Sequence, residues 1–481
     1  MKPILIYLVF ALASFSLCAQ TIEVYPYVQP GNGSTLTGSD VKSVIWLTGS
    51  TPAEFVVEYG VKGQETRRAK IQSTALDFPQ TQMPPRKDPP ILEREQHYLK
   101  YTATLTDLPF DAEVEYRVSS QGKMIRGGTF QTRASFEKPI RFIAVGDLAK
   151  GNLIQNAVAY QIYQAKPQFL VALGDIVYPT GRVLQYFDHF WSTYNQPTET
   201  SSATGAPLMA TIPIYPVIGN HDLDSKLTLF PDSLGAFHFF SVPQNGPGEG
   251  PWNPPIPKES AEKFREMAGP NYPAASYYSF DSGPAHFLIL DSTNFDLARL
   301  GSWIEKDLTN TKARWKFVCL HTPAFHSSRE HYDAQKMRTV VPLLERCGVD
   351  LVLAGHLHNY QRSKPMRFEV DAVRKPGVSL VNGKFILDSK FDGEENTRPD
   401  GIIHIVCGGG GASLYNGDFK KNADMFREKF PQNWAPYTVR FESERHSFVL
   451  IDLTSDRLEL RAMDGTSGRE FDKIIITKPA P

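Results

Sequence analysis

From Pro139 to about Tyr360 the chain repeats one arrangement: a short unbroken apolar run that ends in a polar motif. The runs are 141–145, 169–173, 214–218, 286–290, 316–320 and 350–354. Behind five of them stand Gly146-Asp147, Gly174-Asp175-Ile176-Val177-Tyr178, Gly219-Asn220-His221-Asp222, His321 and Gly355-His356-Leu357-His358. Unbroken apolar runs of this length read as strands buried on both faces. They alternate with segments 154–165 and 334–346, where the apolar spacing is helical. The pattern is that of an α/β fold in layers. In such folds ligands bind outside the carboxyl ends of the strands, so motifs far apart in sequence converge on one rim. A preceding glycine lets the chain turn sharply and approach a bound group closely.

The side chains in these motifs suit metal chemistry. The carboxylates of Asp147 and Asp175 and the phenol of Tyr178 are hard anionic donors, while the imidazoles of His321, His356 and His358 and the amide oxygen of Asn220 suit borderline divalent ions. Asp175 has two oxygens and can bridge a pair of ions. Two ions about 3.5–4 Å apart clamp the attacking and leaving oxygens of an in-line displacement at phosphorus, and a bound metal acidifies water. Phosphoester hydrolysis is the chemistry such a set performs. Taken singly, each residue has a plainer reading: an Asp after a strand caps a helix or turn, and a Tyr before proline packs beneath a loop. The five motifs together carry the metal reading.

In its order, the series G-D, G-D-x-x-Y, G-N-H-D, an isolated His after an apolar strand, and G-H-x-H resembles the purple acid phosphatases, within the calcineurin-like metallophosphoesterases. The stretch G-H-L-H-N-Y-Q-R at 355–362 is typical of them. The resemblance is close over 141 to about 362 and looser over the rest. It implies an α/β fold, a four-layer sandwich of two mixed β-sheets flanked by helices over 139–477, preceded by a small all-β fibronectin type III-like sandwich over 21–135. It implies that Asp147, Tyr178 and His358 hold one ion, ferric iron in this family. Asn220, His321 and His356 would hold a second, divalent ion (zinc, iron or manganese), with Asp175 bridging. His221 would protonate the departing alkoxide, and Asn220 and His331 would lie on the substrate side. The implied reaction is hydrolysis of small phosphate monoesters by direct attack of metal-bound hydroxide. Two other readings stay open: a phosphodiesterase using the same site, and an inert surface protein whose sandwich binds a glycan or partner. The sequence departs from the family at Ala149, where the family has glycine and other phosphoesterases a histidine ligand; alanine cannot ligate, which makes Tyr178 the more necessary donor. It departs again at Glu330, where plant-type members often have a second histidine, and this leaves leaving-group preference and pH profile open.

Outside these motifs, residues 21–135 carry short alternating segments at 44–47, 55–57, 101–105 and 114–118, turns such as Pro109-Phe110-Asp111, and no helical period. Trp46 and Tyr116 are fit to anchor a small sandwich core. The Pro-rich stretch 79–90 reads as a long loop, and 195–213, 242–258 and 363–400 as surface insertions. The Gly408-Gly409-Gly410-Gly411 run reads as a flexible turn in preference to an anion nest. Asp222 is expected to hydrogen-bond a histidine ligand. Segments 447–453 and 457–461 read as closing strands.

At the N-terminus, Lys2, an apolar run at 4–17 and Leu17-Cys18-Ala19 form an export leader that would be removed before Gln20, making the protein secreted or periplasmic. The run is shorter than the roughly 20 residues a membrane span needs, so no transmembrane segment is expected. Lys and Arg number 51 against 52 Asp and Glu. That balance gives no field for nucleic acid, so a phosphate must be held by local charge. Cys319, Cys347 and Cys407 have no C-x-x-C spacing. For Cys319 and Cys407, in or beside apolar runs, a buried free thiol is the favoured reading, with one disulfide left open.

Overall fold

The computed structural model describes residues 21–79, 96–223, 230–247, 274–371, 380–415 and 435–479, with a few positions between 262 and 268. Residues 1–20, read above as a leader, nearly all of the Pro-rich stretch 79–90 and most of segment 242–258 lie outside the described residues.

Two mixed sheets face each other. In the first, strand Ile140–Val145 pairs in parallel with Phe169–Ala172, which pairs in parallel with Ile214–Pro216. On its other side come the antiparallel strands Ser447–Leu453, Arg457–Asp464 and Glu470–Thr477. The second sheet has seven strands, with Ala285–Leu290, Trp315–Leu320, Leu351–Ala354 and Ile403–Cys407 parallel at its centre. Aromatic side chains fill the space between the sheets: Phe142 stacks on Phe169 at 5.3 Å and meets Phe287 and Phe317 edge-on at 5.0 and 5.4 Å. Helix Leu153–Gln164 covers the outer face of the first sheet through Val158 and Ile162. Helices Leu297–Asn310 and Val341–Arg346 cover the second through Leu300, Ile304, Leu308 and Leu344. The result is four layers, α/β/β/α. Each long helix begins at a side-chain cap, Asn152 accepting from Gln155 N and Asp296 from Ala298 N, which satisfies amides the helix cannot.

Ahead of these layers lie two four-stranded sheets spanning Ile22 to Gln131, packed on Val44, Trp46, Tyr101, Tyr116 and Phe130. One of them is buried on both faces along its inner strand Asp40–Thr48. Along strand Asp40–Thr48, Val44 and Trp46 enter the sandwich core, while Ile45 and Leu47 join Tyr27, Tyr186, Trp191 and Phe239 in a core shared with the α/β layers. Alternation along a strand sends neighbours to opposite faces, and here both faces are dry.

Three expectations need correction. Segment 334–346 is a 3₁₀ turn, Lys336–Thr339, followed by the short helix Val341–Arg346. Pro342 has no N–H to continue a preceding helix and sits in a first turn, where it is tolerated. Segment 195–213 is surface decoration only in part: 197–203 is mostly exposed, but Ala206, Leu208 and Met209 are fully buried and the Tyr116 hydroxyl donates to Ala210 O at 3.0 Å. Within 363–400, strands Met366–Val370 and Gly383–Leu387 form a hairpin that buries Phe368 beside Phe325. Cys319, Cys347 and Cys407 are free and buried. No helix among the described residues is long and apolar enough to cross a membrane.

Candidate metal centre

The polar motifs follow the parallel strands at one end of the two sheets, and their loops lean on one another. Asp147 N donates to Gly174 O, Leu148 N to Asp175 O and Ala149 N to Ile176 O, each at 3.0 Å. Ala149 cannot ligate, but its carbonyl accepts from Tyr178 N at 2.9 Å and fixes that loop. The glycines serve this close packing: a Cβ on Gly219 would lie 2.3 Å from Asp175 N, and one on Gly174 would lie 2.5 Å from the His321 ring. Asp147, Asp175 and His356 adopt φ of 61°, 50° and 69°. Such backbone costs about 1–3 kcal/mol per residue and concentrates at functional sites.

The side chains so placed form two groups. Tyr178 Oη lies 2.9 Å from Asp147 Oδ1 and 3.1 Å from His358 Nε2. His321 Nε2 lies 3.1 Å from Asn220 Oδ1 and 3.2 Å from His356 Nδ1. Asp175 stands between the groups, with Oδ2 3.2 Å from Tyr178 Oη and Oδ1 3.3 Å from His321 Nε2. Ligand atoms of Asp175, His321 and His356 come within 4.8 Å of one another, all buried, an arrangement that can hold a metal ion. The donor set fits a cation: two carboxylates, a phenol, an amide oxygen and three imidazole nitrogens converge where no apolar purpose is served. The outer nitrogens are already engaged, His321 Nδ1 with Leu173 O at 2.8 Å and His358 Nδ1 with Ser413 O at 2.7 Å. Such bonds fix the tautomer that turns Nε2 inward.

Electrostatics agree with that convergence. Burial opposes charge on Asp175, yet His321, followed by His221 and His356, holds its carboxyl well below the usual range. Burial likewise opposes charge on His321, while Asp175 and Asp147 push it up to about 10. Burial, then Asp147 and Asp175, raises the Tyr178 phenol well above its ordinary value, so only a strong Lewis acid converts it to phenolate.

The remaining candidates sit around this cluster. His221 N donates to Asp175 Oδ1 at 2.8 Å, its Nδ1 lies 2.6 Å from Pro179 O, and its Nε2 is 3.8 Å from Asp175 Oδ2 at the open edge. The His331 ring lies 4.2 Å from that of His356, and its Nε2 is 3.3 Å from Tyr415 Oη. Tyr415, which sequence reasoning missed, stacks on His358 at 4.2 Å. It follows strand Ile403–Cys407, and that strand-end position was the one available signal.

Two expectations change here. Asp222 touches no histidine ligand; its two oxygens accept from Ile176 N and Gly219 N at 2.9 Å each, tying the second motif loop to the third. Gly408 to Gly411 are a packed floor and not a flexible turn. A Cβ there would lie 2.3 Å from Leu357 O at Gly408, 2.4 Å from Gly146 O at Gly410 and 2.1 Å from Leu148 O at Gly411. Gly408 N and Gly410 N already donate to Asn359 O and Gly146 O.

Residues 140–360 match the sequence profile of the calcineurin-like phosphoesterases. The chain is 25% identical over 347 residues to an uncharacterized protein of Mycobacterium tuberculosis, a match covering 65% of this chain and 58% of that protein. It is 25% identical over 385 residues to purple acid phosphatase 18 of Arabidopsis thaliana, covering 78% of this chain and 70% of that one. The match thus spans under two thirds of the mycobacterial relative's length. A purple acid phosphatase from yellow lupin seeds shares the fold, with a TM-score of 0.63 at 20% identity over 95% of this chain and 74% of that one.

Proposed function

We propose that this chain, a calcineurin-like metallophosphoesterase related to the purple acid phosphatases, hydrolyses small phosphate monoesters at a two-cation centre. The observation that carries the reading is the position of Asp175, whose two oxygens face two separate donor groups. In this reading Asp147, Tyr178 and His358 would hold one ion, ferric iron, and Asn220, His321 and His356 a second, zinc, iron or manganese, with Asp175 placed to serve both. The bound pair supplies the charge that acidifies an attacking water and stabilises the phosphoryl oxygens.

The chain's own groups do the rest. His221 keeps Nδ1 on Pro179 O and presents Nε2 to the open edge, where its protonated form donates to the departing alkoxide. Asn220 and His331 flank the phosphate. No side-chain nucleophile takes part, so the displacement is single and inverts phosphorus. The leader at 1–19 is read as directing export, with a fibronectin-like unit over 21–135 ahead of the catalytic unit at 139–477.

Elemental analysis with a visible spectrum tests the centre: two metal equivalents and a tyrosinate–iron band that disappears in Tyr178→Phe are expected. His356→Ala should lose metal and turnover together, and an active, metal-replete variant refutes the assignment. Chiral-phosphate analysis should give inversion; net retention excludes a single displacement.

A further inference from the structure

We propose that the cavity where the sandwich meets the second sheet is a non-catalytic binding site for a neutral oligosaccharide. The proposal goes beyond the hydrolase reading and does not depend on it.

The cavity measures about 640 Å³, a size typical of small-molecule sites, which run to about 300–1,000 Å³. Asp281 and His286, beside the start of strand Ala285–Leu290, form its floor, whereas His321 follows the far end of the neighbouring parallel strand. The cavity therefore lies at the end of the sheet opposite the donor cluster. One wall is loop 34–37 of the sandwich, and the other is the C-terminal half of helix Leu297–Asn310. The walls are tied together: Asp281 N donates to Ser34 O at 2.8 Å, and Arg133 donates to both Asp281 O and Thr35 O at 3.3 and 3.1 Å.

The lining is held in place without a ligand. Asn245 Nδ2 donates to Ser279 O at 3.1 Å and Ser279 N to Asn245 Oδ1 at 3.0 Å. Ser279 Oγ donates to Asp307 Oδ1 at 2.7 Å, and Trp303 Nε1 to Asn245 O at 3.3 Å. A preformed wall spares a ligand the cost of ordering it.

The lining also selects the ligand. Half-buried Trp303 and Phe136 supply flat apolar surface, on which the C–H face of a sugar ring packs. His286 and Thr311 both engage Oδ1 of Asp281, and 10% of that side chain stays accessible, which leaves Oδ2 as an acceptor. The Asn310 amide both donates and accepts, and Lys306 and Lys312 donate. Charges of both signs line one space, so a small anion meets Asp281 and Asp307 while a small cation meets Lys306 and Lys312. A neutral polyol incurs neither repulsion, and each of its hydroxyls donates and accepts. The volume has room for about two or three sugar rings.

The test titrates the full-length protein by calorimetry with cellotriose, maltotriose, xylotriose and triacetylchitotriose. At least one is expected to bind one-to-one with a Kd below about 1 mM. Trp303→Ala should weaken that binding about tenfold or more. Asn310→Ala, at an exposed helix end, should weaken it with the melting temperature unchanged, and saturating inorganic phosphate should leave it unaltered. Failure of all four trisaccharides to bind overturns the proposal. So does binding that Asn310→Ala and Trp303→Ala both leave intact, or binding that phosphate displaces, which would put the sugar at the donor cluster.

Discussion

Asp222 serves a centre that it never enters. One oxygen holds Ile176 N and the other Gly219 N, so the residues next to both, Asp175 and Asn220, keep their spacing. Burial and the neighbouring Asp175 raise its carboxyl to about 7. Asp222→Ala leaves two buried amides without acceptors, at about 1–3 kcal/mol each. Urea denaturation should show a loss of about 2–6 kcal/mol, with metal content falling as well; an unchanged midpoint and full metal occupancy would show that the brace is dispensable. Gly408 makes the same point through volume. Its Cβ would press on Leu357 O and come within 2.6 Å of Asp147 Oδ2, so Gly408→Ala should lower metal content in a chain that still folds. Gly348→Ala is a useful contrast, because there the space is open and only φ, +70°, resists the change. At this scale most donors were legible because they share one short motif with a glycine, and His321 because it directly ends an apolar strand. The partner of Asp222 and the place of Tyr415 were not, because contacts 46 and 84 residues apart in sequence determine them.

Strands were the most legible elements, since runs such as 141–145 and 316–320 are apolar without interruption. Helix Leu297–Asn310 escaped notice because it buries only Leu300, Ile304 and Leu308, a stripe too narrow to stand out in a polar segment. Its junction with the sheet is also polar. At the end of the sheet opposite the donor cluster, His286 lies 2.8 Å from Asp281 on one nitrogen and 2.8 Å from Asp307, on the helix, on the other. Thr311 and Ser279 donate to the same carboxylates. Burial opposes charge on His286, but the bonds to Asp281 and Asp307 raise it to about 9, above the unfolded value near 6.5. A raised folded pKa means stability present in full below about pH 6.5 and lost as pH climbs through about 9. The contribution is at most ~3 kcal/mol. Melting temperature should therefore fall between pH 6 and 9.5 by more in the wild type than in His286→Gln. Parallel curves would mean that the imidazolium does not hold helix to sheet.

The whole molecule behaves as one body if the shared core governs its unfolding. Tyr27, Ile45 and Leu47 of the sandwich are buried with Tyr186 and Trp191 of the layers, an arrangement invisible in sequence because a strand dry on both faces looks the same whatever covers it. A buried charge cluster secures the same junction. Asp40 accepts from Arg133 Nε at 2.8 Å, Arg133 N at 2.8 Å and Lys42 Nζ at 2.5 Å, and Arg133 also donates to Thr35 O and to Asp281 O across the junction. Burial resists charge on Asp40, yet Lys42 and Arg133 lower its carboxyl to about 2. That depressed value contributes stability above about pH 4, lost as pH falls toward 2. Asp40→Asn leaves two buried cations facing a neutral amide, a loss of about 3–5 kcal/mol. Glu113→Gln removes only an exposed partner of Lys62, with side chains 42% and 54% accessible, and should leave the melting temperature essentially unchanged. Calorimetry of Asp40→Asn is expected to show one transition, moved down as a unit, with turnover lost over the same temperature range. A separate early transition that leaves turnover untouched would mean that the sandwich unfolds alone and that the shared core does not couple it to the catalytic layers.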